Sequence, residues 1–275
     1  FPYTTLFPIL FEFKLNELAN RVKLLGVDLR REDHPLITRL IEAKNLYDKD
    51  KSGACAHACY VQIVMEDLDK IQRHDLKLFQ CFKREIRRNP LPPENYFGLR
   101  MEIRMAASLT DKKTSFTKSE TPDFLINDVK NLGIECSSAH LSLHSSHDAK
   151  ELFYKVEANI KKKEQSCFST RNTILAIDIS NLIFHEGKNA MFALLYDKDK
   201  ARPRLTSIIN RSVFQSIICF TFAWVNADNK PSFGATLHCL YHRADRLNID
   251  PQVESFLNKH WPLGDLWVEA NIKEI

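Results

Sequence analysis

At 275 residues the chain has room for one large domain or two smaller ones. Its 44% hydrophobic and 27% charged content is that of a soluble globular protein, and no apolar run is long enough to span a bilayer. The net charge of +4 is compatible with a nucleic-acid partner but too mild to establish one.

The opening Phe1-Pro-Tyr-Thr-Thr-Leu-Phe7 has no basic stretch ahead of an apolar core and does not read as a signal peptide. From Leu15 to about Asn89 the periodicity is helical. Leu15, Leu18, Ala19, Val22 and Leu25 recur at three- and four-residue steps, as do Leu36, Leu40 and Ile41, and later Val61, Val64, Met65, Leu68 and Ile71. Asp48 to Gly53 interrupts these helices. Asn89-Pro-Leu-Pro-Pro93 is a rigid breaker and the expected boundary between a helical region, 1–92, and a second domain, 93–275.

Beyond Pro93 the pattern is mixed. Tyr96 to Leu109 reads as a helix with Leu99, Glu102, Met105, Ala106 and Leu109 on one face, which puts Glu102 on the apolar side. Ser115 to Lys118, Pro122 to Ile126 and Leu132 to Ser138 read as strands. Asp148 caps a helix running to about Gln165, with Ala149, Leu152, Phe153, Val156 and Ile160 facing inward. Thr173 to Ile179 is an apolar run suited to a strand covered on both faces, and Val213 to Val225 and Gly234 to Tyr241 read as further strands. The expected fold class is therefore α/β.

Cysteines at 55, 59, 81, 136, 167, 219 and 239 are odd in number and several sit in apolar strand-like runs, the usage of reduced, buried thiols in a cytoplasmic protein. Cys55-Ala-His57-Ala-Cys59 lacks a second ligand pair at zinc spacing, so no zinc is assigned to it. The basic groups Lys83-Arg84, Arg87-Arg88, Lys112-Lys113, Lys161-Lys162-Lys163 and Lys198 to Arg204 read as solvated faces.

Three carboxylates stand out because each is embedded in apolar residues: Glu102 in its helix, Asp123 in Thr121-Pro-Asp-Phe-Leu-Ile126, and Glu135 in Leu132-Gly-Ile-Glu-Cys-Ser137. An unpaired buried charge is costly, so converging acids of this kind suit a hard divalent cation. The competing reading is structural, with Glu102 and Asp123 capping helices or bridging to arginines such as Arg100 and Arg104.

The order helix, three strands, helix, strand, together with these acids, resembles the PD-(D/E)XK nuclease superfamily, the restriction-endonuclease-like fold, over roughly Tyr96 to Ile179. The resemblance implies a mixed sheet flanked by helices and a metal-dependent nuclease. Magnesium or manganese would be held by Asp123, Glu135 and the backbone carbonyl of Cys136, and Glu102 would hold a second ion or an outer-shell water. One position departs from the pattern: the superfamily lysine two residues past the second acid is Ser137 here. Some members, viral cap-snatching endonucleases among them, supply the lysine from the following helix. Lys150 and Lys155 stand there, and the helical angle favours Lys155, which flanks the inner face, as the group that orients or deprotonates the attacking water. The catalytic set is then Glu102, Asp123, Glu135 and Lys155.

His140, His144 and His147 lie in a Ser-rich stretch that reads as a polar loop; Asp178 reads as a strand-end structural acid, and Gln165 lies at the end of the second helix. Gly-x-Ser-x-Gly and phosphate-cradling Gly-rich motifs are absent. Two function classes remain. One is a divalent-metal-dependent nuclease, on DNA rather than RNA, in defence or repair. The other is a catalytically silent relative that binds nucleic acid or a protein, for which Ser137 is the supporting feature. The helical first third is expected to serve as a recognition module, a homodimer interface or a dock for a protein partner.

Overall fold

The computed structural model describes residues 3–88, 93–139, 149–165, 172–180, 182, 201–225 and 236–263. The chain forms two compact units, Phe1–Thr110 and Asp111–Ile275.

The first unit is helical among its described residues: α1 (Tyr3–Leu24), α2 (Pro35–Leu46), α3 (Lys51–His74), α4 (Leu76–Arg88) and α5 (Pro93–Asp111). Its core is the apolar stripe seen in the sequence, with Leu18, Val22, Leu36, Val61, Leu68, Ile71, Phe82 and Ile86 buried. Local chemistry sets the ends. Gly26 follows α1 at φ +89°, a left-handed conformation that glycine adopts without a Cβ penalty. The His34 ring accepts from the Leu36 N–H ahead of α2, and Asp50 accepts from the Gly53 N–H ahead of α3. Gly53 therefore lies in the first turn of α3, and the interruption expected over Asp48–Gly53 shortens to residues 47–50.

The second unit is built on a six-stranded mixed sheet: β1 (Phe116–Lys118), β2 (Phe124–Ile126), β3 (Leu132–Ser138), β4 (Asn172–Asp178), β5 (Ser216–Val225) and β6 (Thr236–Asp245), ordered spatially as in the chain. The β1–β2, β2–β3 and β5–β6 pairs are antiparallel, whereas β3–β4 and β4–β5 are parallel. Parallel neighbours need a crossover, and α6 (Ala149–Glu164) provides it between β3 and β4. α7 (Ala201–Arg211) and α8 (Pro251–His260) complete the described elements. The start of α7 falls in the basic run Lys198 to Arg204, and α8 is not predicted by the sequence analysis, although the Asp250 cap and Pro251 signal it.

Register places the core. Glu135, Leu175 and Ile217 are ladder partners and share a face, as do Ser137, Ile177 and Cys219. On that face Leu175, Ile177, Ile217 and Cys219 bury against Phe153, Val156 and Ile160 of α6 and Leu205, Ile208 and Ile209 of α7. On the opposite face Phe220 meets Trp261 edge-on at 6.0 Å, just past α8.

Candidate functional site

Asp123 precedes β2 by one residue, and Glu135 follows Ile134, the partner of Phe124. Continued by one step, the antiparallel register sets Asp123 directly opposite Glu135, so the two side chains leave the same face of the sheet as cross-strand neighbours. The β1–β2 hairpin holds Asp123 in line: its carbonyl accepts from the Ser119 N–H at 2.8 Å, and the Ser119 hydroxyl donates to the Pro122 carbonyl. Asp123 Oδ2 accepts from the Cys136 N–H at 2.6 Å. A strand residue points its N–H and C=O to the same side, so the Cys136 carbonyl also faces the β2 side of β3.

Glu135 is 5% exposed, in keeping with its place on the sheet face packed against α6. Oε1 accepts from Lys163 Nζ at 2.5 Å, while Oε2 is buried without a hydrogen-bond partner. Burial works against the Lys163 ammonium, but the hydrogen bond to Glu135 and the charges of Glu135 and Asp123 outweigh it and hold the lysine above its ordinary pKa. Lys163 is thus a permanent cation beside both acids. Ser137, two residues on from Glu135, is buried on the same face. Asn159, one turn before Lys163, donates to the Ser138 carbonyl at 2.9 Å. These contacts tie the last two turns of α6 to β3.

The lysine that α6 brings to the acids is therefore Lys163. Lys155 is half-buried on the same helix, two turns earlier and about 12 Å along its axis. The sequence pattern places Lys163 in the run Lys161–Lys163, which reads as a solvated face. The signal was its phase: it follows Ile160 by three residues and Val156 by seven, on the buried stripe. Lys161, from the same run, is 63% exposed and pairs with Glu157 on its own helix at 3.0 Å.

Glu102 is half-buried on α5, within the first unit, between the buried Met101 and Ile103. Arg104 gives its guanidinium to Asp67 of α3 at 2.7 Å. Asp67, a buried acid that the sequence reading missed, sits in Glu66-Asp67-Leu68 on the inner face of α3. Asp178 ends β4 opposite Ser138, on the face away from Glu135, and its Oδ1 accepts from the Ser180 N–H at 2.9 Å. Gln165 is exposed just past α6. His140, His144, His147, Asp148 and Cys167 lie outside the described residues. Cys55, Cys59, Cys81, Cys136 and Cys219 are free thiols, and burial pushes Cys219 up to about 12 and Cys59 up to about 11, far from a reactive thiolate.

The donor set suits a hard cation. Two carboxylates share one face, one of them keeps a bare buried oxygen, and a backbone carbonyl points to the same seam, all of them oxygen ligands. Among the described residues no group of three or more His, Cys, Asp or Glu side chains gathers at one point, so an ion here would complete its shell with water. No described helix is long and apolar enough to cross a membrane. Compared with known proteins, the chain matches no family model, no curated protein and no solved structure.

Proposed function

We propose that the chain is a divalent-metal-dependent nuclease of the restriction-endonuclease-like kind, hydrolysing phosphodiester bonds in nucleic acid, with DNA as the expected substrate. The observation that carries this reading is the Asp123–Glu135 pair on one face of the sheet, with Lys163 bonded to Glu135 and Glu135 Oε2 left without a donor. A buried acceptor without a partner is costly, and a bound cation removes that cost.

Asp123, Glu135 and the Cys136 carbonyl would hold the ion. Mg2+ or Mn2+ supplies charge neutralisation at the phosphate and lowers the pKa of an attacking water. Lys163 takes the place that Ser137 vacates. Because its neighbours keep it charged, it does not accept the water's proton; it offsets negative charge developing on the phosphate and orients groups by donating hydrogen bonds. The same Lys163–Glu135 contact favours a second reading, in which the ammonium is a permanent occupant of the acid pair and the fold binds nucleic acid or protein without cleaving it.

Calorimetric titration of the full chain with MgCl2 and MnCl2 separates the two, read beside cleavage of single- and double-stranded DNA and of RNA. The nuclease reading expects saturable binding that Asp123→Ala and Glu135→Gln each weaken by more than about 100-fold, beyond what loss of an outer-shell group typically costs. Binding that these variants leave unchanged, or no cleavage with either ion, sinks it in favour of the silent reading.

A further inference from the structure

A second buried acceptor without a donor lies on the seam between α6 and β3. Asn159 is half-buried, and its Nδ2 donates to the Ser138 carbonyl at 2.9 Å. That bond fixes the amide, because the opposite setting would turn Oδ1 onto another oxygen. Oδ1 is buried and has no hydrogen-bond partner, and Glu135 Oε2 is in the same condition. A buried acceptor left unpaired carries the desolvation cost of the group, and here one helix–strand seam holds two.

The strand sets where they stand. The Ala139 N–H donates to the Asp178 carbonyl at 2.9 Å, so odd-numbered residues at this end of β3 turn their N–H and C=O toward β4. Even-numbered residues turn theirs toward β2, as the bond from the Cys136 N–H to Asp123 shows. The Cys136 and Ser138 carbonyls therefore leave the same edge of β3, about 7 Å apart at the usual rise per residue. Pro122, reached by continuing the register, falls opposite Cys136 and has no N–H to offer it. Asn159 thus docks one strand step from the carbonyl proposed to hold the ion. From the next turn of the same helix, Lys163 reaches Glu135.

We infer, resting on the metal-dependent reading of the acid pair, that Asn159 is a positioning residue for the cation, its Oδ1 accepting a hydrogen bond from a water of the ion's hydration shell. Magnesium gives up its waters reluctantly and keeps several of them, and each has protons to donate. A water polarised by a cation is a strong donor, and an acceptor fixed beside it orients the shell. An amide held on the Ser138 carbonyl stands one step away from the direct ligands, the range at which a water intervenes. The Ser138 bond uses only the N–H side of the amide, so a tether alone leaves Oδ1 without a purpose.

Calorimetric titration of the full chain with MgCl2 and MnCl2, at equal folded fraction by thermal unfolding, separates the two roles. Asn159→Ala removes both ends of the amide, and Asn159→Leu takes its place if the alanine variant does not fold. Asn159→Asp keeps an acceptor there and loses the donor to Ser138. Asn159→Ala is expected to weaken ion binding about 10–100-fold, the usual cost of losing such an acceptor, and Asn159→Asp to recover most or all of that loss. A tether acting through Ser138 alone would weaken both variants together. Affinity unchanged in Asn159→Ala, no recovery in Asn159→Asp, or no ion binding by the parent overturns the assignment. Cleavage is scored separately: a parent that binds the ion but cuts neither DNA nor RNA ends the nuclease reading and leaves the affinity comparison standing.

Discussion

Asp67 in the helical unit and Glu135 in the sheet unit are each buried against a cation, and the two pairs differ in what is left over. In the helical unit the Asp67 side chain is 3% exposed and accepts from Arg104 at 2.7 Å. In the sheet unit the Glu135 side chain is 6% exposed and accepts from Lys163 at 2.5 Å. Desolvation pushes Asp67 up to about 6, and the Arg104 charge only partly pulls it back. Asp67 has a helix neighbour as its partner and serves to join α3 to α5. Asp123, one residue before β2, falls opposite Glu135 when the strand register is continued, and Glu135 Oε2 has no donor. A buried acid is thus a weak sign of a site; a buried acid with a facing acid and spare lone pairs is a stronger one.

The sharpest way to break this contrast is at the lysine. Lys163→Ala is expected to lower metal-dependent cleavage by about 100–1,000-fold, the usual loss when one donor to a developing negative charge is removed. Metal affinity should change far less, and Lys155→Ala should cleave nearly as the parent does. Single-turnover rates of the two variants with a labelled duplex check this. Equal losses in both, or none in either, would remove Lys163 from the site.

A second measurement addresses Asp67. Burial raises its pKa from 3.8, the ordinary aspartate value, to about 6, so the folded state holds the proton more tightly. The stability it contributes is fully present below about pH 4 and is lost as pH rises through about 6, by about 3 kcal/mol in all. Asp67→Asn cannot titrate there. Urea unfolding of the parent and of the variant from pH 4 to pH 8 should give curves that diverge by this amount; parallel curves would mean that Asp67 is ionised normally.

The smallest expected effect is at Gly133 of β3, where a methyl group would run into the ring of Pro122. Gly133→Ala is expected to cost about 1–3 kcal/mol through overpacking and to move Asp123, which follows that proline. Thermal unfolding measures the first, and weaker manganese binding at equal folded fraction the second. An unchanged melting temperature would show that the strand pair yields at no cost.

Much of this was legible in the chain. The helical first third follows from three- and four-residue apolar steps, and β3 and β4 were located within one residue because their runs are continuous and apolar. β2 is shorter than expected because residues 122 and 123 stand outside the ladder: Pro122 has no N–H to give it, and the Asp123 side chain instead takes the Cys136 N–H. The Asp123 and Glu135 candidates were visible as charges in apolar surroundings. Lys163 was not, because a lysine in a run of three looks solvated until the helix is docked, and Asp67 was hidden in a helix whose polar face it only seemed to join.

The split between the two units falls at the end of α5, at 110/111, and not at the prolines before it, whereas the sequence by itself determined the helical character of the first third, the type of most later elements and the placing of acids in apolar strands. These depend on periods of 3.6 and 2 and on capping residues, which act over a few neighbours. Only the tertiary structure decided that Asp123 faces Glu135, that the end of α6 turns Lys163 onto Oε1, that Arg104 is taken by Asp67, and that Arg39 and Arg100 meet at Tyr60. Strand register and helix docking join residues 12 to 61 positions apart, and burial of whole faces sets them rather than any local preference.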